Sequence, residues 1–270
     1  MSAKMWALGW ALVASSAVAT ADMALASDHA DMSAKRKTDL AANYGPRDLA
    51  DLYSWVGPDS SISATSPPKR AFLVLTVHPN APKATAAFDT NTLYQFHTIA
   101  KGAFADTSDT ASLDILCAFE PATTVASQKF ECWSGEEEYV SGTGSATTGS
   151  GVAQSVSKNL RVWVGLANDP AFHNRAGFDS TITSIRNSLS GWNKDAAGCI
   201  TGGLAAVDAA TLRTKLSTPA ADAYAGQNVL AIVVSADIDY LTIKRDPVTK
   251  KETKLPLLGV WASAKKRIPK

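Results

Sequence analysis

Leu113-Asp114-Ile115-Leu116-Cys117-Ala118-Phe119, followed after a turn by Lys129-Phe130-Glu131-Cys132, is the stretch that decides the fold. Both halves carry the apolar and aromatic residues of short strands, and Pro121 to Gln128 between them reads as their turn. The two cysteines lie equally far from the middle of that turn. In an antiparallel hairpin, equal distance from the turn places two residues opposite each other. The spacing therefore predicts a cross-strand disulfide between Cys117 and Cys132. Cys199, in Ala196-Ala197-Gly198-Cys199, is left over and is expected to be a buried, inert thiol.

Outward from the hairpin, strands dominate. Ala71-Phe72-Leu73-Val74-Leu75-Thr76-Val77 is a nearly continuous apolar run, which suits a strand buried on both faces. Thr92 to Ile99, Leu160 to Leu166, Asn228 to Ser235, Tyr240 to Lys244 and Leu257 to Ala262 read as further strands. One helix is expected to begin at the N-cap Asp179, with Phe178, Ile182, Ile185 and Leu189 on one face and Gly191 at its end. A weaker helical stretch covers Leu204 to Leu216, closed by Pro219. Residues 27–56 read as polar and irregular, and residues 141–157, almost wholly Ser, Gly, Thr and Ala, as a mobile loop. The expected fold is mainly β, a β sandwich or related barrel with a small helical insertion.

The first residues read as an export address. Lys4 gives a positive start, Met5 to Ala19 carries no charge, and Ala19-Thr20-Ala21 and Ala24-Leu25-Ala26 offer two A-x-A cleavage sites. The run is shorter than the roughly 20 residues of a membrane span, and no later segment qualifies. We therefore expect residues 1–26 to be a signal peptide and residues 27–270 a single β-rich domain, periplasmic or secreted. An oxidising compartment is also where a disulfide persists.

Hydrophobic residues at 46% and charged residues at 19% allow a buried core. The net charge of +1 supplies no global field for nucleic acid. Basic residues cluster late in the chain, at Lys244, Arg245, Lys250, Lys251, Lys254, Lys265, Lys266, Arg267 and Lys270. A solvated hairpin with a charged tail accounts for them; an anionic partner docking there is the alternative.

Several separate stretches fall into one pattern. Ser27-Asp28-His29-Ala30-Asp31 precedes Asp48-Leu49-Ala50-Asp51-Leu52-Tyr53-Ser54-Trp55. Phe88-Asp89, Leu93-Tyr94-Gln95-Phe96-His97, and Gly165-Leu166-Ala167-Asn168-Asp169-Pro170-Ala171-Phe172 follow. Gly226-Gln227-Asn228-Val229-Leu230-Ala231-Ile232-Val233-Val234 and Gly259-Val260-Trp261-Ala262 complete it. In this order, over nearly the whole mature chain, the sequence resembles the bacterial family catalogued as domain of unknown function 4331. The resemblance implies an exported bacterial protein of mostly β fold and carries no activity with it. It departs from the family at Asn168, where an acid is common, and at Ala171, where an aromatic is common. Both departures put in doubt any site that needs the acidic pair.

Two metal sites are candidates at the mature N-terminus. Cleavage after Ala26 leaves His29 third from a free amine, and four nitrogens in a plane suit Cu or Ni. Alternatively, His29, Asp31, Asp48 and Asp51, with Asp169 from the later motif, form an oxygen-rich set suited to Ca or Mn. The structural alternative has Asp48 capping a short helix over Asp48 to Tyr53 and Asp51 bonding turn amides. His78, His97 and His173 read as hydrogen-bonded structural residues. No zinc spacing, nucleophile elbow, phosphate loop or dinucleotide fingerprint occurs. Glu136 and Glu138 are a weak pair for glycoside chemistry, best read as a solvated acidic turn. The seven tryptophans are scattered along the chain without a repeating stripe. The leading reading is an exported, non-enzymatic binding or structural module. Its alternative is an extracytoplasmic enzyme acting on a carbohydrate or another envelope component.

Overall fold

A computed structural model describes residues 45–59, 69–107, 110–146, 150–188, 192–202, 209–218 and 220–267. The strands are β1 (Leu49–Pro58), β2 (Lys69–Val77), β3 (Thr92–Lys101), β4 (Thr110–Phe119), β5 (Lys129–Ser134), β6 (Glu138–Thr143) and β7 (Ala153–Gln154). They continue with β8 (Leu160–Asn168), β9 (Asn193–Lys194), β10 (Ile200–Gly202), β11 (Asn228–Asp237), β12 (Ile243–Arg245), β13 (Glu252–Lys254) and β14 (Leu257–Lys266). Among the described residues three α-helices intervene: α1 (Arg175–Ser188), α2 (Ala209–Ser217) and α3 (Ile238–Thr242).

Two five-stranded antiparallel sheets carry the core. Sheet A runs β1-β2-β11-β8-β7 and sheet B runs β14-β3-β4-β5-β6; β9–β10 and β12–β13 are separate hairpins. Side chains alternate along each strand, and the inward sets meet in one cluster. Leu73, Leu75 and Val77 of β2 and Leu230, Ile232 and Val234 of β11 pack with Tyr94 and Phe96 of β3 and with Ile115 and Phe119 of β4. Burying each large apolar side chain contributes roughly 1.5–3 kcal/mol, so this two-layer interior is what makes the sandwich hold. β2 and β11 lie in the middle of sheet A, which explains their near-continuous apolar sequences.

The cysteine hairpin forms as its spacing predicts. β4 and β5 pair antiparallel with Cys117 opposite Cys132. Their Cα atoms are 4.2 Å apart, and the two residues are disulfide-bonded. Both face the interior without exposure. Cys199, expected buried, is instead an exposed free thiol. It lies in a turn organised by Asp195, whose Oδ1 accepts from the backbone amides of Ala197 and Cys199.

Other expectations are corrected. Residues 49–56, part of the stretch 27–56 read as irregular, lie in the edge strand β1, which pairs with β2. An edge strand with one open side lacks the apolar alternation that would reveal it. α1 starts four residues before Asp179, because Asn174 caps it: the Asn174 Oδ1 accepts from Gly177 N at 3.1 Å. Asp179 then lies inside the helix, paired with Arg175. Leu189, Gly191 and Pro219 lie outside the described residues, as does Leu204 at the start of the second helical expectation, of which α2 is the described part. Tyr240 to Lys244 begins as the helix α3, not as a strand. Asp237 accepts from Asp239 N and Tyr240 N, and this cap outweighs the strand preference of the aromatic and β-branched residues. The Ser- and Gly-rich stretch 141–157, expected to be a loop, holds the end of β6 and all of β7. Ser145 also bridges Gly165 of β8. A Cβ on Gly165 would lie 2.6 Å from the Ser145 carbonyl oxygen, so glycine is what permits that approach. No described helix is long and apolar enough to cross a membrane.

Candidate functional site

β1 places the first motif at the edge of sheet A. Its register against β2 shifts between Leu49 and Asp51. There the buried Thr76 hydroxyl accepts from Asp51 N at 2.9 Å and donates to Asp51 O at 3.3 Å. Tyr53 donates its phenol to Asp51 Oδ2 at 2.9 Å. Burial first, then the hydrogen bond to Asp51 and the charges of Asp51 and Asp169, push the Tyr53 phenol well above its usual range. Tyr53 therefore stays a neutral donor at any physiological pH. Asp169, just beyond β8, accepts from Ala171 N at 2.9 Å, an Asx turn before the helical insertion.

Tyr53 thus bonds Asp51 and feels the charge of Asp169, a residue of a distant motif. Asp48 stands at the foot of β1, with its carbonyl accepting from His78 N at 2.9 Å. The expected short helix over Asp48 to Tyr53 is replaced by strand because β2 supplies a full set of partners. His29 and Asp31 lie outside the described residues. Among the described residues no group of three or more His, Cys, Asp or Glu is gathered closely enough to hold a metal ion.

A second candidate is a cleft of about 420 Å³ at one end of the sandwich, lined by Glu137, Asn159, Asp237, Asp239, Tyr240, Ile243, Arg245 and Glu252. Its acids have work to do. Asp237 caps α3, Asp239 pairs with Lys254, and Glu252 pairs with Arg245 at 2.6 Å. Burial, with the charges of Glu138 and Glu137, raises the Tyr240 phenol, which donates to Ser134 O at 2.9 Å. Of the sequence pair Glu136 and Glu138, the first is exposed and the second is 3% exposed. Glu138 accepts from the Ser157 hydroxyl at 2.6 Å and from Asn159 Nδ2 at 2.7 Å. It fastens β6 to the β7–β8 turn.

The outer face of sheet B is the third. Strand register puts Ser263, Gln95, Leu116, Trp133 and Tyr139 in one row across all five strands. Trp261, His97 and Asp114 form the next row on β14, β3 and β4. Trp261 and Tyr139 are 49% and 46% exposed, so this face presents aromatic surface to solvent. The Trp133 and Tyr139 rings are 6.1 Å apart, and the Trp261 indole stacks on the His97 imidazole at 5.0 Å. Two of the seven tryptophans, Trp133 on β5 and Trp261 on β14, lie on this face.

Comparison with protein-family models, curated proteins and solved structures finds no match. The reading of function therefore rests on the side chains themselves.

The basic residues late in the chain divide into two groups. Lys244, Arg245 and Lys254 belong to the β12–β13 hairpin, with Lys250 and Lys251 in its connection, while Lys265 and Lys266 end β14. Arg245 and Lys254 are engaged by Glu252 and Asp239, which lowers the positive charge the hairpin presents. Lys270 lies outside the described residues.

Proposed function

We propose that the protein is an exported binding or structural module, periplasmic or secreted, of the bacterial family catalogued as domain of unknown function 4331. One observation carries the choice of module over carboxylate-based hydrolase. The cleft acids Asp237, Asp239 and Glu252 are occupied by a helix cap and two ion pairs. Glycoside hydrolysis needs two carboxylates sharing acid and base roles across a bond, and this cleft leaves Glu137 without a second carboxylate for that division. The Cys117–Cys132 disulfide supports an oxidising compartment.

The N-terminal segment is the metal-binding part of the proposal: His29 and Asp31 with Asp48, Asp51 and Asp169 for Ca or Mn, or His29 at a Ser27 terminus for Cu or Ni. The hydrogen bond of Tyr53 to Asp51, with the charge of Asp169 acting on the same phenol, supports the first set. Protein purified from its own compartment is the material for the test. Incubated with isolated cell envelopes, it is expected to sediment with them and release no soluble reducing sugar. Sugar release abolished by Glu137→Gln would overturn the module reading. A melting point raised by Ca²⁺ or Mn²⁺ and lowered by chelator is the expected metal response; identical melting curves would remove the Ca or Mn site. N-terminal sequencing is expected to read Ser27 first, and Asp22 first would remove the Cu or Ni site.

A further inference from the structure

We propose that Ser263, His97 and Asp114 form an acyl-transfer relay on the outer face of sheet B, with Ser263 as nucleophile toward short-chain carboxylic esters. The three residues come from the adjacent strands β14, β3 and β4: register sets His97 opposite Asp114 and places Ser263 in the neighbouring row, opposite Gln95. The Ser263 Oγ is 2.9 Å from His97 Nε2, and His97 Nδ1 is 3.0 Å from Asp114 Oδ1. Gln95 Nε2 donates to the other carboxylate oxygen, Asp114 Oδ2, at 2.6 Å. The same amide nitrogen lies 3.1 Å from His97 Nδ1.

The relay requires the tautomer with its proton on Nδ1. An ionised carboxylate only accepts, so Nδ1 offers that proton to Asp114 Oδ1. The Gln95 amide, itself a donor, bonds Asp114 Oδ2 rather than Nδ1. Nε2 is then the bare nitrogen, and it faces the Ser263 hydroxyl as acceptor. The opposite tautomer would set a lone pair against the Asp114 oxygen. Serine, base and orienting acid thus stand in the order that general-base activation of a hydroxyl requires. The imidazole is also clamped: it stacks on the Trp261 indole with only 10° between the planes, and its side chain is 12% exposed. Cross-strand polar contacts on a sheet face usually join two residues. Here four side chains are joined in a directed chain that ends on a nucleophile.

The chemistry balances without a redox partner. The Ser263 proton passes to His97 Nε2 as Oγ bonds to the ester carbonyl carbon. The bond from that carbon to the alcohol oxygen breaks, and Nε2 returns the proton to the leaving alcohol. Water then gives a proton to Nε2 while its oxygen bonds to the acyl carbon. The carbon–Oγ bond breaks, Oγ regains the proton, and a carboxylic acid departs.

The relay does not line the cleft, and it stands beside an exposed indole. It therefore suits an acyl group carried on an extended or flat alcohol that can lie along the sheet. An open face forgoes the roughly 10²–10³-fold that an enclosed oxyanion donor contributes. Turnover is then slow, and covalent trapping is the sensitive readout. This activity goes beyond the module reading and does not rest on it.

The test treats the mature protein with a fluorophosphonate probe and p-nitrophenyl acetate. The expected result is one phosphonyl adduct on Ser263, by peptide mass spectrometry, with slow ester hydrolysis. Ser263→Ala should abolish both. His97→Gln should lower the labelling rate by about 10²-fold or more, the usual contribution of a positioned base. Asp114→Asn should lower it too, with recovery in Asp114→Glu, which a purely structural carboxylate would not produce. Each variant is compared at an unchanged melting point, and envelope sedimentation should be indifferent to Ser263→Ala. No adduct on Ser263 in the folded parent protein, or labelling indifferent to His97→Gln, overturns the proposal.

Discussion

The two sheets solve the same inward problem alike and finish their outer faces differently. On the inner strands of sheet A the outward residues Arg70, Thr76 and Trp163 are sealed, at 2%, 0% and 5% exposed, whereas Trp55 on the edge strand β1 is 52% exposed. Arg70 donates to Ser235 Oγ at 2.7 Å, to Ser235 O at 2.6 Å and to Asn159 O at 2.9 Å. Arg161 meets Asp59 at 2.8 Å in the same cluster. On sheet B the outward groups bond to one another, from Gln95 through Asp114 and His97 to Ser263, beside a tryptophan half open to solvent. A guanidinium held largely by backbone carbonyls locks strands together. A relay held by other side chains can move protons without disturbing the ladder. Sheet A is thus read as the frame and sheet B as the working surface.

The contrast can be broken most decisively at Arg70. Arg70→Ala removes the donors from buried carbonyls and a charge from the Asp59 cluster, and should cost about 3–5 kcal/mol in urea unfolding. A loss under about 1 kcal/mol would remove the distinction between frame and surface. Breaking the Cys117–Cys132 bond comes next. The bridge closes a sequence separation of 15, and a loop of that size stabilises by about 3 kcal/mol in the chain-entropy account. Unfolding of Cys117→Ala/Cys132→Ala against the parent measures it.

His78, at the end of β2, sharpens the comparison through pH. Burial lowers its pKa below the ordinary histidine value, so the unfolded chain takes up a proton that the folded protein resists. Stability should therefore rise with pH through the ordinary histidine range, with a deficit that grows as pH falls from about 6.5. His78→Asn tolerates the residue's left-handed backbone, φ 58°, and should flatten that slope; an unchanged slope places its origin elsewhere. On the open face, Trp261→Ala should cost at most about 1 kcal/mol in the same urea assay, as surface substitutions do. A larger cost would make sheet B's outer face part of the frame. Smallest of all, Cys199→Ser should stay within about 0.5 kcal/mol. The native thiol should nonetheless react with a thiol reagent without denaturant, because it is exposed.

The sandwich and its staple were legible in the sequence because both depend on local pattern. A nearly continuous apolar run marks the stretch around Leu73 as a core strand, and symmetric spacing about one turn pairs Cys117 with Cys132. β1 escaped notice because an edge strand carries exposed residues such as Trp55 and Val56 on positions that a buried strand would fill with core. Tyr240 misled because a single cap at Asp237 decides that segment, and cap geometry outweighs side-chain preference. Cys199 misled because small apolar neighbours suggested burial, whereas Asp195 folds them into an open turn. Of the candidate metal set, His29 and Asp31 lie outside the described residues. The Ser263–His97–Asp114 relay was not legible in the sequence. Its members come from three strands, and only the register of β14 on β3 and β3 on β4 joins them. No short motif encodes such a set.

The strand order also has a consequence in time. β2 lies between β1 and β11, and β3 lies between β4 and β14, so each early strand waits for a partner made near the end of the chain. Sheet A lacks its centre until Asn228–Asp237 has emerged, and sheet B lacks an edge until Leu257–Lys266 follows. Long-range pairing of this kind folds slowly, because the loop must close before its contacts form. A chain that emerges from its N-terminus cannot complete either layer on the way out. That delay keeps it threadable, the state that the proposed export would need.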